Sequence, residues 1–190
     1  MSNKKIPVGI SARHIHISRE DLDVLFGKGY QLTIKKELAQ PGQYAANEQV
    51  EISTEKGSLK LRILGPERKK TQVEISLSDA LKLGINPPVR DSGDIKGAPG
   101  ITVTGVKGSV KLEEGVIVAC RHIHMNSVDA QAFGVKDKEF VQVACKGDRS
   151  LVFGQVLVRV HDSFILEMHI DTDEGNAAML GSGATVELVK

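Results

Sequence analysis

Apolar and polar residues alternate along most of this chain, the period of a strand with one buried face. The stretch VEISTEKGSLKLRIL (50–64) reads as a hairpin that turns near Lys56-Gly57. Further strands are predicted at TQVEISL (71–77), ITVTGV (101–106), VIVACRHIHM (116–125), FVQVAC (140–145), LVFGQVLVRV (151–160), FILEMHID (164–171) and ATVELV (184–189). Gly108, Gly115, Lys146-Gly147-Asp148 and Gly181-Ser182-Gly183 supply turn signals between them. Helical patterns are few and short. Ser18 to Asp21 resembles a capping box ahead of LDVLFG, and Asn126 to Asp129 makes a matching start. SLSDALKLG (76–84) and DEGNAAMLG (173–181) are the other candidates. Many short strands with occasional helices predict a mainly β fold of barrels or sandwiches. NPPVRDSGDIKGAPG (86–100) is a long Pro- and Gly-rich connection, and such connections are often functional.

Two segments repeat. RHIHISREDLDVLFG lies over RHIHMNSVDAQAFG with one residue dropped, and each copy runs on into an extended segment, YQLTI or FVQV. The chain therefore carries a duplicated strand–HxH–helix unit, which takes four of its six histidines. On a strand, His14 and His16 share one face, with Ile15 and Ile17 on the other; His122 and His124 do the same. Two imidazoles at this spacing can share a metal ion. A polar strand face is the plain alternative for a single HxH, and the duplication favours metal. In LEMHIDTDEGNAAM, Glu167, His169 and Asp171 share a face opposite Leu166, Met168 and Ile170. That face suits either a metal ligand with its supporting groups or a solvated edge strand. His161 in RVHDSF reads as a surface residue at a turn. Glu74 is a candidate carboxylate for a metal centre, and the pattern does not rank it above Glu51 or Glu167.

The totals narrow the function classes. The 190 residues suit one domain or two small intimate ones. Hydrophobic residues make up 41% and the net charge is +1, so nothing draws the chain to nucleic acid or membrane. Five Phe, two Tyr and no Trp argue against a base-stacking surface. Cys120 and Cys145 form no CxxC, and MSNKKIPVGI has no long apolar run, so the expected setting is reduced and cytoplasmic. No GxGxxG or GxxxxGK[ST] is present. Lys35-Lys36, Lys60, Arg62 and Arg68-Lys69-Lys70 form either a solvated face or an anion site.

The ordered set ARHIHIS, LAQPGQYAANEQV, LRILGPERKKTQVEIS, PVRDSGDIKGAPGITVTG, VIVACRHIHM and LEMHIDTDEGNAA resembles the PduL-type phosphotransacylases, or phosphate propanoyltransferases, from about Val8 to Lys190. The resemblance implies a reversible conversion of a short-chain acyl-CoA and phosphate, with acetyl-CoA or propanoyl-CoA as candidates, to an acyl phosphate and free coenzyme A. It implies two divalent metal ions, usually Zn2+. It makes His14 and His16 ligands of one ion, Glu74 a bridging carboxylate, and His122, His124 and His169 ligands of the other. It makes Arg68 the phosphate-binding residue, and it maps coenzyme A contacts to Ser11, Lys36, Arg62, Leu64 and Asn176. The implied fold is two β-barrels capped by short α-helices: residues 1–12 with 120–190 in one, and 13–119 in the other. A homodimer is also implied. Many relatives carry an amphipathic N-terminal helix for bacterial microcompartments; here only a few polar residues precede Ile6, so the expectation is cytosolic.

The expected chemistry is direct attack of phosphate on the thioester, with Cys120, on the same strand face as His122, as a weaker alternative nucleophile. Two rivals share the same residues: a metal-dependent thioester or ester hydrolase, and a non-catalytic metal-binding barrel.

Overall fold

A computed structural model describes residues 4–189. In chain order the elements are β1 (Lys5–Ser11), β2 (His14–His16), α1 (Arg19–Phe26), β3 (Ile34–Glu37), β4 (Tyr44–Ser53), β5 (Ser58–Gly65) and β6 (Gln72–Glu74). Then come α2 (Leu77–Leu83), β7 (Val89–Arg90), β8 (Ile101–Thr104), β9 (Ser109–Leu112), β10 (Val116–Ala119) and β11 (His122–Met125). The chain ends with α3 (Ser127–Phe133), β12 (Phe140–Cys145), β13 (Leu151–Val160), β14 (Glu167–Asp171), α4 (Thr172–Ala177) and β15 (Thr185–Val189). The protein is mainly β, as the alternation predicts. None of these helices is long and apolar enough to cross a membrane.

The strands divide between two compact units. Among the described residues, the first contains 4–11, 39–41 and 120–189. Its strands form a closed barrel in the order β1-β14-β11-β13-β12-β15. Ile6, Val8, Ile123, Met125, Val143, Val158, Met168 and Ile170 fill it, each the inward member of an alternating pair. The second unit contains residues 12–38 and 42–119. Its nine strands make a curled sheet in the order β7-β10-β6-β2-β5-β4-β8-β9, with β3 on β4. Ile15, Ile17, Leu22, Ile52, Leu61, Ile63 and Val73 build its core.

The duplication extends to strand pairing. β2 lies between β5, parallel, and β6, antiparallel. β11 lies between β13, parallel, and β14, antiparallel. In the register, His14 faces Glu74 and His16 faces Gln72, while His122 faces His169 and His124 faces Glu167. A capped helix follows each HxH strand: the Ser18 hydroxyl accepts from the Asp21 N–H, and the Asn126 side chain accepts from the Asp129 N–H. A second capped helix follows each partner strand, with Ser76 capping α2 and Asp171 capping α4.

The structure departs from the predicted elements in several places. The stretch 116–125 is two strands, because the chain leaves one sheet at Ala119 and enters the barrel at His122. Between them the Cys120 carbonyl accepts from the His122 ring and the Arg121 carbonyl accepts from the Leu157 N–H. The strand at 71–77 stops at Glu74, because Ser76 turns the chain into α2. β9 goes unnoticed in the alternation; its four residues are all at least partly exposed, so they carry little contrast.

Candidate functional site

In the second unit His14, His16 and Glu74 converge, with one nitrogen or oxygen from each lying within 4.8 Å of the others. The His14 Nδ1–H donates to the Ala12 carbonyl at 2.9 Å, which turns Nε2 towards Glu74. His14 Nε2 is 3.4 Å from Glu74 Oε2, and His16 Nε2 is 3.8 Å from Oε1. Ligands at about 2.0–2.1 Å from a tetrahedral ion sit roughly 3.3 Å apart, so this spacing suits one shared cation. Burial, reinforced by His14 and Arg68, lowers His16 to about 3, so its ring is neutral and available as a ligand. Burial pushes the Glu74 carboxyl up, but His14, His16, the Ser92 hydroxyl and Arg68 outweigh it and hold it at about 2.

Glu74 is held from behind. Its Oε1 accepts from Gln72 Nε2 at 2.6 Å and from Ser92 Oγ at 2.8 Å. Gln72 also donates to Ser92 Oγ at 2.9 Å and accepts from the Gly93 N–H at 2.7 Å. Arg68 donates to the same Ser92 hydroxyl at 3.1 Å. Ser92 thus uses its one proton and both lone pairs, tying Arg68 to the carboxylate. The Arg68 backbone is itself pinned by its N–H to the Ile17 carbonyl at 2.8 Å, just beyond the HxH strand.

In the first unit His122, His124 and His169 converge on the same criterion. The ring centroids are 4.7 Å apart for His122–His124, 5.1 Å for His122–His169 and 4.8 Å for His124–His169. The His122 Nδ1–H donates to the Cys120 carbonyl at 2.8 Å, repeating the arrangement of His14. The His169 Nε2–H donates to Glu167 Oε2 at 2.8 Å, so its free lone pair is on Nδ1. His124 Nδ1 is buried without a hydrogen-bond partner. Burial, with His122, His169 and Arg159 nearby, lowers His124 to about 2 and keeps it neutral. Three converging imidazoles, two of them oriented by a hydrogen bond on the far ring nitrogen and the third carrying an orphaned buried nitrogen, suit a divalent ion of the zinc type.

The remaining candidates fall in both units. Lys36 is exposed on β3; Arg62 and Leu64 lie on β5, with the Arg62 guanidinium donating to the Ala46 carbonyl at 2.6 Å. Ser11 ends β1, opposite Asp171, and Asn176 lies in α4. His161 is exposed and bonded to Ser163, outside both triads. Cys120 Sγ lies 3.6 Å from the Arg121 carbonyl. Sequence reasoning overlooked Gln72 and Ser92. Gln72 shares the strand face of Glu74, which was the available signal, whereas Ser92 reaches the carboxylate only through the fold of the 86–100 segment.

Comparison with known proteins gives a consistent result. The family model for phosphate propanoyltransferase matches residues 7–181. A phosphate propanoyltransferase of Thermotoga maritima is 58% identical over 97% of this chain and 89% of its own length. Those of Lachnoclostridium phytofermentans and Clostridioides difficile are 52% and 50% identical, each over 97% of this chain, and over 87% and 89% of their own lengths.

Proposed function

The chain belongs to the phosphate propanoyltransferase family, and we propose that it interconverts a short-chain acyl-CoA and phosphate with the acyl phosphate and free coenzyme A. The observation that carries this reading is the coupling of Arg68, through Ser92, to the carboxylate of a metal-ligating triad. An anion-binding group beside a cation-binding group is what a phosphate nucleophile requires.

His14, His16 and Glu74 would hold one divalent ion and His122, His124 and His169 another, with zinc suited to both donor sets. When bound, these ions supply positive charge that orients phosphate and stabilises the oxyanion developing on the thioester carbonyl. The other roles belong to the chain's own residues. The Arg68 guanidinium binds phosphate through paired N–H donors and holds one oxygen towards the thioester carbon. Ser92 and Gln72 keep Arg68 and Glu74 in register while that happens. A carbon–oxygen bond forms, the carbon–sulfur bond breaks, and coenzyme A departs as a thiolate; the proton that hydrogenphosphate gives up to solvent balances the one the thiolate takes from it. Ser11, Lys36, Arg62, Leu64 and Asn176 contact coenzyme A. Propanoyl- and acetyl-CoA are the substrates in this reading.

Steady-state kinetics of Arg68→Ala test the assignment. The expected result is a rise in KM for phosphate or a fall in kcat, together at least tenfold, with KM for acyl-CoA within about threefold of the parent. An unchanged phosphate response would remove Arg68 from the mechanism.

A further inference from the structure

We propose that the two triads are versions of one ligand frame in which a negative charge has moved from a ligand to the residue supporting it, and that Glu167 is the positioning residue of the His169 site. This rests on the reading that each triad takes one divalent ion.

The register supplies the correspondence. Glu74 faces His14 as His169 faces His122, and Gln72 faces His16 as Glu167 faces His124. Glu74 and His169 are therefore the same position in two copies, as are Gln72 and Glu167. Each supporting residue bonds the ligand two residues later: Gln72 Nε2 to Glu74 Oε1 at 2.6 Å, and Glu167 Oε2 to the His169 ring at 2.8 Å. Where the ligand is a carboxylate, a neutral amide donates to it. Where the ligand is an imidazole, a carboxylate accepts from it. Each set of three ligands and one support thus contains a single carboxylate.

The swap has a chemical reason at both places. A carboxylate ligand needs a donor behind it, and a second carboxylate there would repel it. An imidazole ligand needs an acceptor on its far nitrogen, which fixes the tautomer and makes the ring a stronger base. Gly9 gives the carboxylate its room: a Cβ at that position would meet the Glu167 Cδ and Oε1 atoms at 3.0 Å. Gly9 is paired with His169 across β1 and β14, so the space lies beside the ligand it serves.

The test is Zn2+ affinity, measured on the full-length protein by competition with a chromogenic chelator. Thermal melts of the metal-free variants check folding. The parent should bind two Zn2+ per chain. Glu167→Gln should weaken one site about 10- to 100-fold and leave the other unchanged. Gly9→Ala should weaken the same site without altering any ligand, which covers the case in which Glu167→Gln fails to fold. His169→Glu alone should bind poorly, with two carboxylates side by side. The double variant Glu167→Gln/His169→Glu rebuilds the other copy's pattern and should bind at least tenfold more tightly than His169→Glu alone. Parent protein that binds no Zn2+ would overturn both the metal reading and this inference. Parent protein with two sites, joined by a Glu167→Gln variant of equal affinity or a double variant no better than His169→Glu, would overturn the inference alone.

Discussion

Arg13 and Arg121 open the two Arg-His-Ile-His units, and alternation only says that they point away from the histidines. Their partners explain the repetition. Arg13 forks onto Asp79 of α2 with two contacts of 2.8 Å, and Arg121 reaches Glu174 of α4 at 3.0 Å. Each arginine thus fastens the HxH strand to the helix that follows the third member of its triad. The Asp79 side chain is 3% exposed, against 20% for Glu174, so losing the first pair costs more. Arg13→Ala should lower unfolding stability by about 2–4 kcal/mol and Arg121→Ala by about 1 kcal/mol, read from denaturant titrations. The buried imidazoles make a second prediction. The folded-state values of His16 and His124 lie at about 3 and about 2, below the ordinary value of 6.5, so the folded chain binds fewer protons. Their contribution is fully present above about pH 6.5 and is lost as pH falls towards 3. The melting temperature of metal-free protein should therefore drop steadily from pH 7 to pH 5, and a flat profile would contradict the burial of these rings. Histidines and isoleucines at period two were legible in the sequence. The Ser92 hub was not, because its partners are distant in the chain and meet only through folding.

At the scale of elements, the strands read well where alternation was strong and poorly where a cap or a change of sheet ended them. β6 is three residues long because Ser76 caps α2 and turns the chain out of the sheet. Periodicity continues through Ile75 and Leu77 and cannot register the cap. The same applies at Cys120-Arg121, where apolar alternation runs on but the backbone changes sheets. The 86–100 segment looked like a connection and in fact carries β7 and Ser92. Gly100 closes it in a narrow place: a Cβ there would run into the Leu112 carbonyl oxygen and meet that of Glu113 at 2.7 Å. Gly100→Ala should cost about 2–3 kcal/mol because backbone must move, whereas Gly154→Ala, with nothing within 4 Å, should be near neutral. Chemical denaturation of the two variants gives the comparison.

At the scale of the whole molecule, the chain builds two units with separate cores, and each carries one triad. Strand partners over this range were not legible from pattern. Val8 pairs with Met168 across a parallel ladder, and nothing in either segment's alternation names the other. The duplication was the sequence feature that reached furthest, since it survives in pairing, caps and ion pairs alike. Function was accessible because several motifs occur together in a fixed order, whereas HxH alone would have left transferase and hydrolase equal. The measurement that separates them is coenzyme A release from propanoyl-CoA by the zinc-loaded protein, followed with a thiol-reactive chromophore at increasing phosphate. The account predicts release that depends on phosphate and is matched by acyl phosphate formed; release at the same rate without phosphate would contradict it.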